Sequence, residues 1–261
     1  METLYVVKIG GNIIDDAEKL NSFLASFAAV KGPKVLVHGG GKLATQMAAQ
    51  LGIAQQMIEG RRITDAETLK VVAMVYAGLI NKNIVAQLQA FGCNALGLSG
   101  ADGNAILAHK RQHATIDYGF VGDVDAVNAT FLKYLLQQKV TPVLCPITHD
   151  GSGGLLNTNA DTIAQEAAKA LSPHYNVQLI YSFEKRGVLL NADDESTVIP
   201  AINPDYYQQL KKEGKIFAGM IPKLDNAFAA LGSGVGKVII GRAEELNHLI
   251  NQTSGTAIVH E

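Results

Sequence analysis

Two apolar strands that each break into a run of glycines constrain this chain more than any other feature. "LYVVKI" (4–9) is a compact β-rich run ending at Gly10-Gly11, and "KVLVH" (34–38) ends at Gly39-Gly40-Gly41. Behind the first, Leu20, Phe23, Leu24 and Phe27 recur at helical spacing; behind the second a helical pattern runs to about Leu51. A strand that is apolar throughout is buried on both faces, and the strand–glycine–helix alternation is that of a parallel sheet covered by helices. The 261 residues suffice for one large α/β domain or two lobes sharing one sheet.

Further along, "QQMIEGRRIT" (55–64) reads as a hairpin turning at Glu59-Gly60, and Thr64 or Asp65 caps a long helix to about Phe91. "NALGLSGADG" (94–103) is a strand running into a glycine loop. "AILAHK" and "DYGFVGDV" read as short antiparallel strands projecting from the main sheet, and "VTPVLCPI" (140–147) as another buried strand. "LLNTNADTIAQEAAKAL" (155–171) is a short strand leading into a helix that Asn159 or a neighbour caps, with Ile163, Ala167, Ala170 and Leu171 on its apolar face. Strands restart at "NVQLIYS" (176–182) and "VLL" (188–190). "GMIPKLDNAFAAL" (219–231) is a helix, "GKVIIG" (236–241) a strand, and "GTAIV" (255–259) closes the sheet. A lobe boundary falls near Ser172-Pro173, and no repeat or low-complexity segment interrupts the pattern.

A net charge of −2 supplies no bulk attraction to nucleic acid or to an anionic membrane, and no apolar run reaches membrane-spanning length. The N-terminal segment enters a strand almost at once, which leaves no room for a signal peptide and points to the cytoplasm. Cys93 and Cys145 sit in apolar surroundings, as buried small residues of a reducing compartment do. His109 and His113 have an i, i+4 spacing without further ligands nearby, as expected of a solvated loop.

Three readings compete for "VLVHGGGKLAT" (35–45). A Walker-type loop needs a glycine where Leu36 stands and a Ser or Thr where Leu43 stands, so it fails. A dinucleotide turn fits loosely as Gly39-x-Gly41-x-x-Ala44 with Glu59 beyond. The acidic residue should end the next parallel strand, however, whereas Glu59 falls in a hairpin turn. The third reading uses both glycine turns: neighbouring parallel strands set them side by side at the carboxyl edge of the sheet, where bare amides at helix starts cradle anions. Lys8, the charged residue of "VVKIGG", reaches the same edge, and a lysine in so apolar a strand calls for a buried anionic partner.

Other polar residues are out of place. Arg61-Arg62 form either a solvated hairpin arm or a guanidinium fork for a carboxylate or phosphate, and spacing alone does not decide. "NTNAD" crowds Asn157, Asn159 and Asp161 onto one strand-to-helix junction. N-capping accounts for one of the three comfortably. Asp161, in the first helical turn, is free to orient lysines. Lys223 is the charged residue of the helix start "GMIPKL".

Taken in order, "KIGGN", "VHGGG", "GRRIT", "GLSGADG", "GFVGDV", "LLNTNAD", "GMIPK" and "GTAIV" resemble the amino acid kinase family over essentially the whole chain. Within it, the order is similar to members acting on N-acylated glutamate in arginine biosynthesis. The resemblance implies an open, mainly parallel three-layer αβα sandwich with small β-hairpins. It implies an N-terminal lobe, 1–172, for the acyl amino acid and dimerisation, and a C-terminal lobe, 173–261, for ATP. It further implies phosphorylation of the side-chain carboxylate of N-acetyl-L-glutamate, or of its N-succinyl counterpart, to an acyl phosphate. Lys8 and Lys223 would sit on the transferring phosphoryl group and Asp161 would hold both. Gly10 and Gly11, with Glu184, would line the nucleotide and phosphate site, with Gly40 and Gly41 contributing amides on the substrate side. Arg62 and Asn157 would grip the α-carboxylate. Mg2+ would arrive on the nucleotide phosphates, the chain itself supplying no metal ligands, and the assembly would be a homodimer through the 65–91 helix.

The residue types suit that chemistry on their own account. Phosphoryl transfer is mostly positioning and charge stabilisation, and a carboxylate acceptor is already ionised, so no general base is needed. Three departures stand out: Phe183-Glu184 replaces a Ser/Thr-Asp pair at the expected adenine–ribose contact, Lys42-Leu43 follows the triple glycine, and Ala218 replaces a second glycine. Lys42 could meet the extra carboxylate of a succinyl group. Carbamate, aspartate or glutamate kinases, or a non-catalytic amino acid or nucleotide sensor on the same fold, are the alternative readings. Intact Lys8, Lys223 and Asp161 weigh against the sensor.

Overall fold

A computed structural model describes residues 1–58, 61–191, 193–216 and 220–260. The hairpin turn at Glu59-Gly60 and the departure at Ala218 lie outside the described residues. The chain begins with β1 (Thr3–Ile9), a one-turn helix α1 (Gly11–Ile14), α2 (Ala17–Ala29), β2 (Lys34–His38) and α3 (Gly41–Gln50). A short pair, β3 (Met57–Ile58) and β4 (Arg61–Arg62), leads into one continuous helix over 66–90. It consists of α4 (Ala66–Ala73), a π-helical stretch (Met74–Ile80) and α5 (Asn81–Ala90). Next come β5 (Ala95–Leu98), β6 (Ile106–Lys110), β7 (Gly122–Val127), α6 (Ala129–Gln137), β8 (Thr141–Leu144), β9 (Ile147–His149), β10 (Leu155–Asn157) and α7 (Ala160–Leu171). The remainder holds β11 (Asn176–Phe183), β12 (Ala201–Ile202), α8 (Pro204–Lys212), α9 (Ile221–Gly232), β13 (Lys237–Arg242), α10 (Leu246–Ile250) and β14 (Thr256–Ile258).

Among the described residues the main sheet has eight strands in the order β12-β14-β13-β11-β1-β2-β8-β5, all parallel to their neighbours except β13 against β14. The α/β expectation therefore holds. Strands before Ser172 form one half and strands after it the other, and the halves join through the parallel β1–β11 ladder, from Thr3↔Asn176 to Ile9↔Ser182. Each face buries its own core. Leu4, Val6, Val37, Leu179 and Ile240 pack under α6, α7, α8 and α9. Val7, Ile9, Leu36, Ile180 and Ile239 pack under α2, α3, the 66–90 helix and α10. Smaller units flank the sheet: β10-β9-β6-β7, and the β3–β4 pair.

Local expectations fare unevenly. Asp65 caps the long helix, accepting from the Thr68 N–H at 2.7 Å, and Asn159 caps α7 through the Asp161 and Thr162 N–H groups. The 66–90 helix, read whole, is long and apolar enough to span a membrane, contrary to the sequence reading. Val71, Val72, Val75, Ile80, Ile84 and Leu88 are instead buried in the core of this fold. "VLL" (188–190) is not a sheet strand: it pairs locally with residues 197–199, through the Leu190 N–H to the Thr197 carbonyl and the Ile199 N–H to the Val188 carbonyl. "GTAIV" does not close the sheet either. β14 turns back antiparallel beside β13, and the two-residue β12, too short to read from sequence, forms the edge.

Candidate functional site

The period of two along β1 puts Lys8 on the same face as Leu4 and Val6, the face covered by α7. There its ammonium meets the first turn of α7: Lys8 Nζ lies 2.8 Å from Asp161 Oδ1. Lys223, from the first turn of α9, donates to Asp161 Oδ2 at 3.0 Å. One carboxylate thus bridges two lysines separated by most of the sequence. Burial alone would raise the Asp161 carboxyl, but the two ammoniums outweigh it and hold the group well below the usual carboxylate range. Tyr181, paired in register with Lys8, donates to the Asp161 main-chain carbonyl at 3.3 Å, and burial keeps its phenol protonated.

These groups line a cavity of about 200 Å³ with Gly10, Gly11, Asn12, Ser182 and Glu184. Gly10 lies in this lining. Its N–H is taken by the Ser182 carbonyl at 3.1 Å, so it offers space rather than an amide, the strand ladder having first claim on it.

A second cavity, of about 190 Å³, adjoins the first through consecutive residues, Ala160 lining one and Asp161 the other. Gly39, Gly40, Gly41, Arg61, Arg62, Tyr76, Asn157 and Thr158 all contribute to it. The glycine turn is rigidly backed. His38 is fully buried, and burial lowers its pKa to about 4, so the ring is neutral. Asn81 Nδ2 donates to the Val143 carbonyl (2.9 Å) and faces His38 Nε2 (3.1 Å), which leaves Nδ1–H to donate to the Gly39 carbonyl at 2.9 Å. Gly40 has φ +143°, and a Cβ there would fall 2.2 Å from Ile80 Cδ1, in the π-helical stretch.

Arg62 is 8% exposed, so the solvated-arm reading of that residue is wrong. Its Nη2 donates to the Gly41 carbonyl (2.8 Å) and to Thr45 Oγ1 (2.9 Å), and its Nη1 to Gln55 Oε1. Asn157 Nδ2 donates to Thr64 Oγ1 at 3.0 Å, and that hydroxyl donates to the Arg62 carbonyl at 3.0 Å, tying β10 to β4. Lys42, by contrast, is exposed, lies 4.0 Å from Asp15 Oδ2, and does not line this cavity. Sequence reasoning passed over Asn12, Tyr76, Thr158 and Tyr181. Asn12 follows Gly11 directly and was the one with a visible signal. Tyr76 and Tyr181 reach the site only because a helix and a strand turn them towards it.

A model of the amino acid kinase family matches residues 3–242. A protein of Cytophaga hutchinsonii named acetylglutamate kinase is 58% identical over 262 residues, taking in 99% of each chain. One of Phocaeicola vulgatus with the same name is 55% identical over 257 residues, 98% of each. Among solved structures, smu.665 from Streptococcus mutans UA159 matches with a TM-score of 0.81 at 28% identity, covering 99% of both chains. The chain belongs to the amino acid kinase family.

Proposed function

We propose that this chain phosphorylates the side-chain carboxylate of N-acetyl-L-glutamate with ATP, giving the acyl phosphate used in arginine biosynthesis. The observation that carries the reading is the Lys8–Asp161–Lys223 bridge standing beside the Arg62–Asn157 cavity. The name borne by the relatives at 55–58% identity agrees with it. In the reaction the acceptor carboxylate oxygen attacks the γ-phosphorus, the bond to the β–γ bridging oxygen breaks, and ADP leaves; no proton moves. Lys8 and Lys223 neutralise charge building on the phosphoryl oxygens, and Asp161 keeps both lysines at that point. Amides at the start of α3, including that of Gly41, would reach the phosphoryl oxygens from the neighbouring cavity that they line, with the positive end of the helix dipole. Arg62 and Asn157 hold the acceptor's α-carboxylate.

Residues 1–172 bind the acyl amino acid and residues 173–261 the nucleotide, with Glu184 on the nucleotide side. Among the described residues no group of three or more His, Cys, Asp or Glu side chains could cage a metal. Mg2+ would come with the ATP phosphates, which is its usual mode. A cytoplasmic homodimer is part of the proposal. Met74 and Leu79 on the 66–90 helix and Leu96 on the edge strand β5 are exposed large apolar residues that a second copy would cover.

ADP release from Mg-ATP, measured with N-acetyl-L-glutamate, N-succinyl-L-glutamate and free L-glutamate in parallel, tests the reading. Turnover confined to an acylated substrate is expected. Release with none of the three would sink it.

A further inference from the structure

Lys223 reaches Asp161 from the first turn of α9, and no side chain among the described residues caps that turn. What holds it comes from α8. Tyr207 is 3% exposed, and its ring stacks on Phe228 of α9 with centroids 5.1 Å apart. Its hydroxyl lies 2.7 Å from Asp225 Oδ1 and 3.2 Å from the Ile221 carbonyl oxygen. The two acceptors stand on either side of Lys223 in sequence, so the bonds bracket it. Burial and the bond to Asp225 raise the phenol well above the usual tyrosine range, so it remains a donor. Lys211, also on α8, braces the same pair: its Nζ is 3.7 Å from Asp225 Oδ1 and 4.9 Å from the centroid of the Tyr207 ring. Neither Tyr207 nor Asp225 lines either cavity. Packing alone asks only for the stacked rings; the hydroxyl adds direction, and what it directs is the turn carrying Lys223.

We infer that Tyr207 is a positioning residue for phosphoryl transfer: its hydroxyl fixes the first turn of α9 so that Lys223 meets Asp161 and the transferring group. The inference rests on the role given to Lys223 above. A shift of about 1 Å in a group that must meet a transition state costs up to about a hundredfold in rate, even when the cause lies away from the chemistry.

Tyr207→Phe keeps the ring and its stack and removes only the donor. It is to be compared with the parent, with Lys223→Ala, and with the double variant, in steady-state turnover of N-acetyl-L-glutamate and Mg-ATP. We expect kcat to fall by about tenfold to a hundredfold with KM for N-acetyl-L-glutamate unchanged. The melting temperature should move by no more than about 4 °C, as for one hydrogen bond in a chain of this size. In the Lys223→Ala background the same substitution should change the residual rate by less than about twofold, because its effect runs through the missing lysine. A Tyr207→Phe enzyme with the parent's kcat overturns the inference, and so does a loss that carries over in full onto Lys223→Ala. Should Tyr207→Phe not fold, Asp225→Ala, which takes away the acceptor on α9, decides by the same pair of comparisons. A failure of the underlying reading looks different: an inactive parent, or a Lys223→Ala enzyme as fast as the parent, removes the role of Lys223 and the inference with it.

Discussion

Lys8 and Lys223 share one carboxylate, with Lys8 Nζ 2.8 Å from Asp161 Oδ1 and Lys223 Nζ 3.0 Å from Asp161 Oδ2, although one comes from β1 and the other from α9 in the opposite half of the chain. Either ammonium without Asp161 would repel the other. The bridge therefore fixes both the spacing of the two charges and the junction between α7, α9 and β1.

Asp161→Asn keeps the shape and removes the charge. Turnover should fall by roughly two to three orders of magnitude, the scale of losing a preorganised electrostatic element. Because the folded carboxyl is held below its unfolded value, it stabilises the protein at pH values above about 4, and that contribution is lost as pH falls further. Melting curves of parent and variant should thus differ at pH 7, by on the order of 1–3 kcal/mol given the partly exposed lysines, and converge under acid. Equal stability at pH 7 would contradict the bridge.

Gly40→Ala places a Cβ where Ile80 Cδ1 stands, at a φ that other residues rarely adopt. A rise in KM for the acylated substrate is expected, with a stability loss on the order of 1–3 kcal/mol. Adding Ile80→Val removes the clashing methyl and should recover part of the stability while the φ strain remains. No recovery in a denaturant titration would place the strain elsewhere.

Arg62→Lys retains charge and loses the planar fork that serves Gly41, Thr45 and Gln55. KM for N-acetyl-L-glutamate should rise by about tenfold or more, with KM for ATP little changed. Calorimetric titration of the acceptor is the direct measurement, and unchanged affinity would detach Arg62 from the acceptor site.

His38 gives a dependence of the opposite origin. Its folded pKa, about 4, lies below the ordinary imidazole value near 6.5, so acid protonates the unfolded chain first. Stability should be lost as pH falls from about 6.5 towards 4, by roughly 3 kcal/mol in all. His38→Gln should flatten that part of the stability–pH curve, and an unaltered slope would assign it to another group.

The parallel sheet was legible because the interiors of β1 and β2, Leu4–Val7 and Val35–Val37, are unbroken apolar runs and each strand then breaks into glycines, a pattern no amphipathic strand shares. Lys8 was visible as a charge in a strand where burial tolerates none alone, whereas Asp161 and Lys223 took their roles from the family resemblance. Arg62 was undecided because a dipeptide of arginines says nothing about which of them a fold will bury. Tyr76, Tyr181 and Tyr207 were invisible for a stronger reason: each reads as an ordinary apolar residue of its element, and only the packing of one element on another aims its hydroxyl. β12 was lost because two residues carry no periodicity.

The β1–β11 ladder joins the two halves with paired residues from Thr3↔Asn176 to Ile9↔Ser182. The boundary between the two halves is therefore a hydrogen-bonded ladder, not a slack tether. Swinging one half away from the other would have to break that ladder. The β3–β4 arm on one bank carries Arg62 and α9 with its α8 brace on the other carries Lys223, like fingers set on a palm.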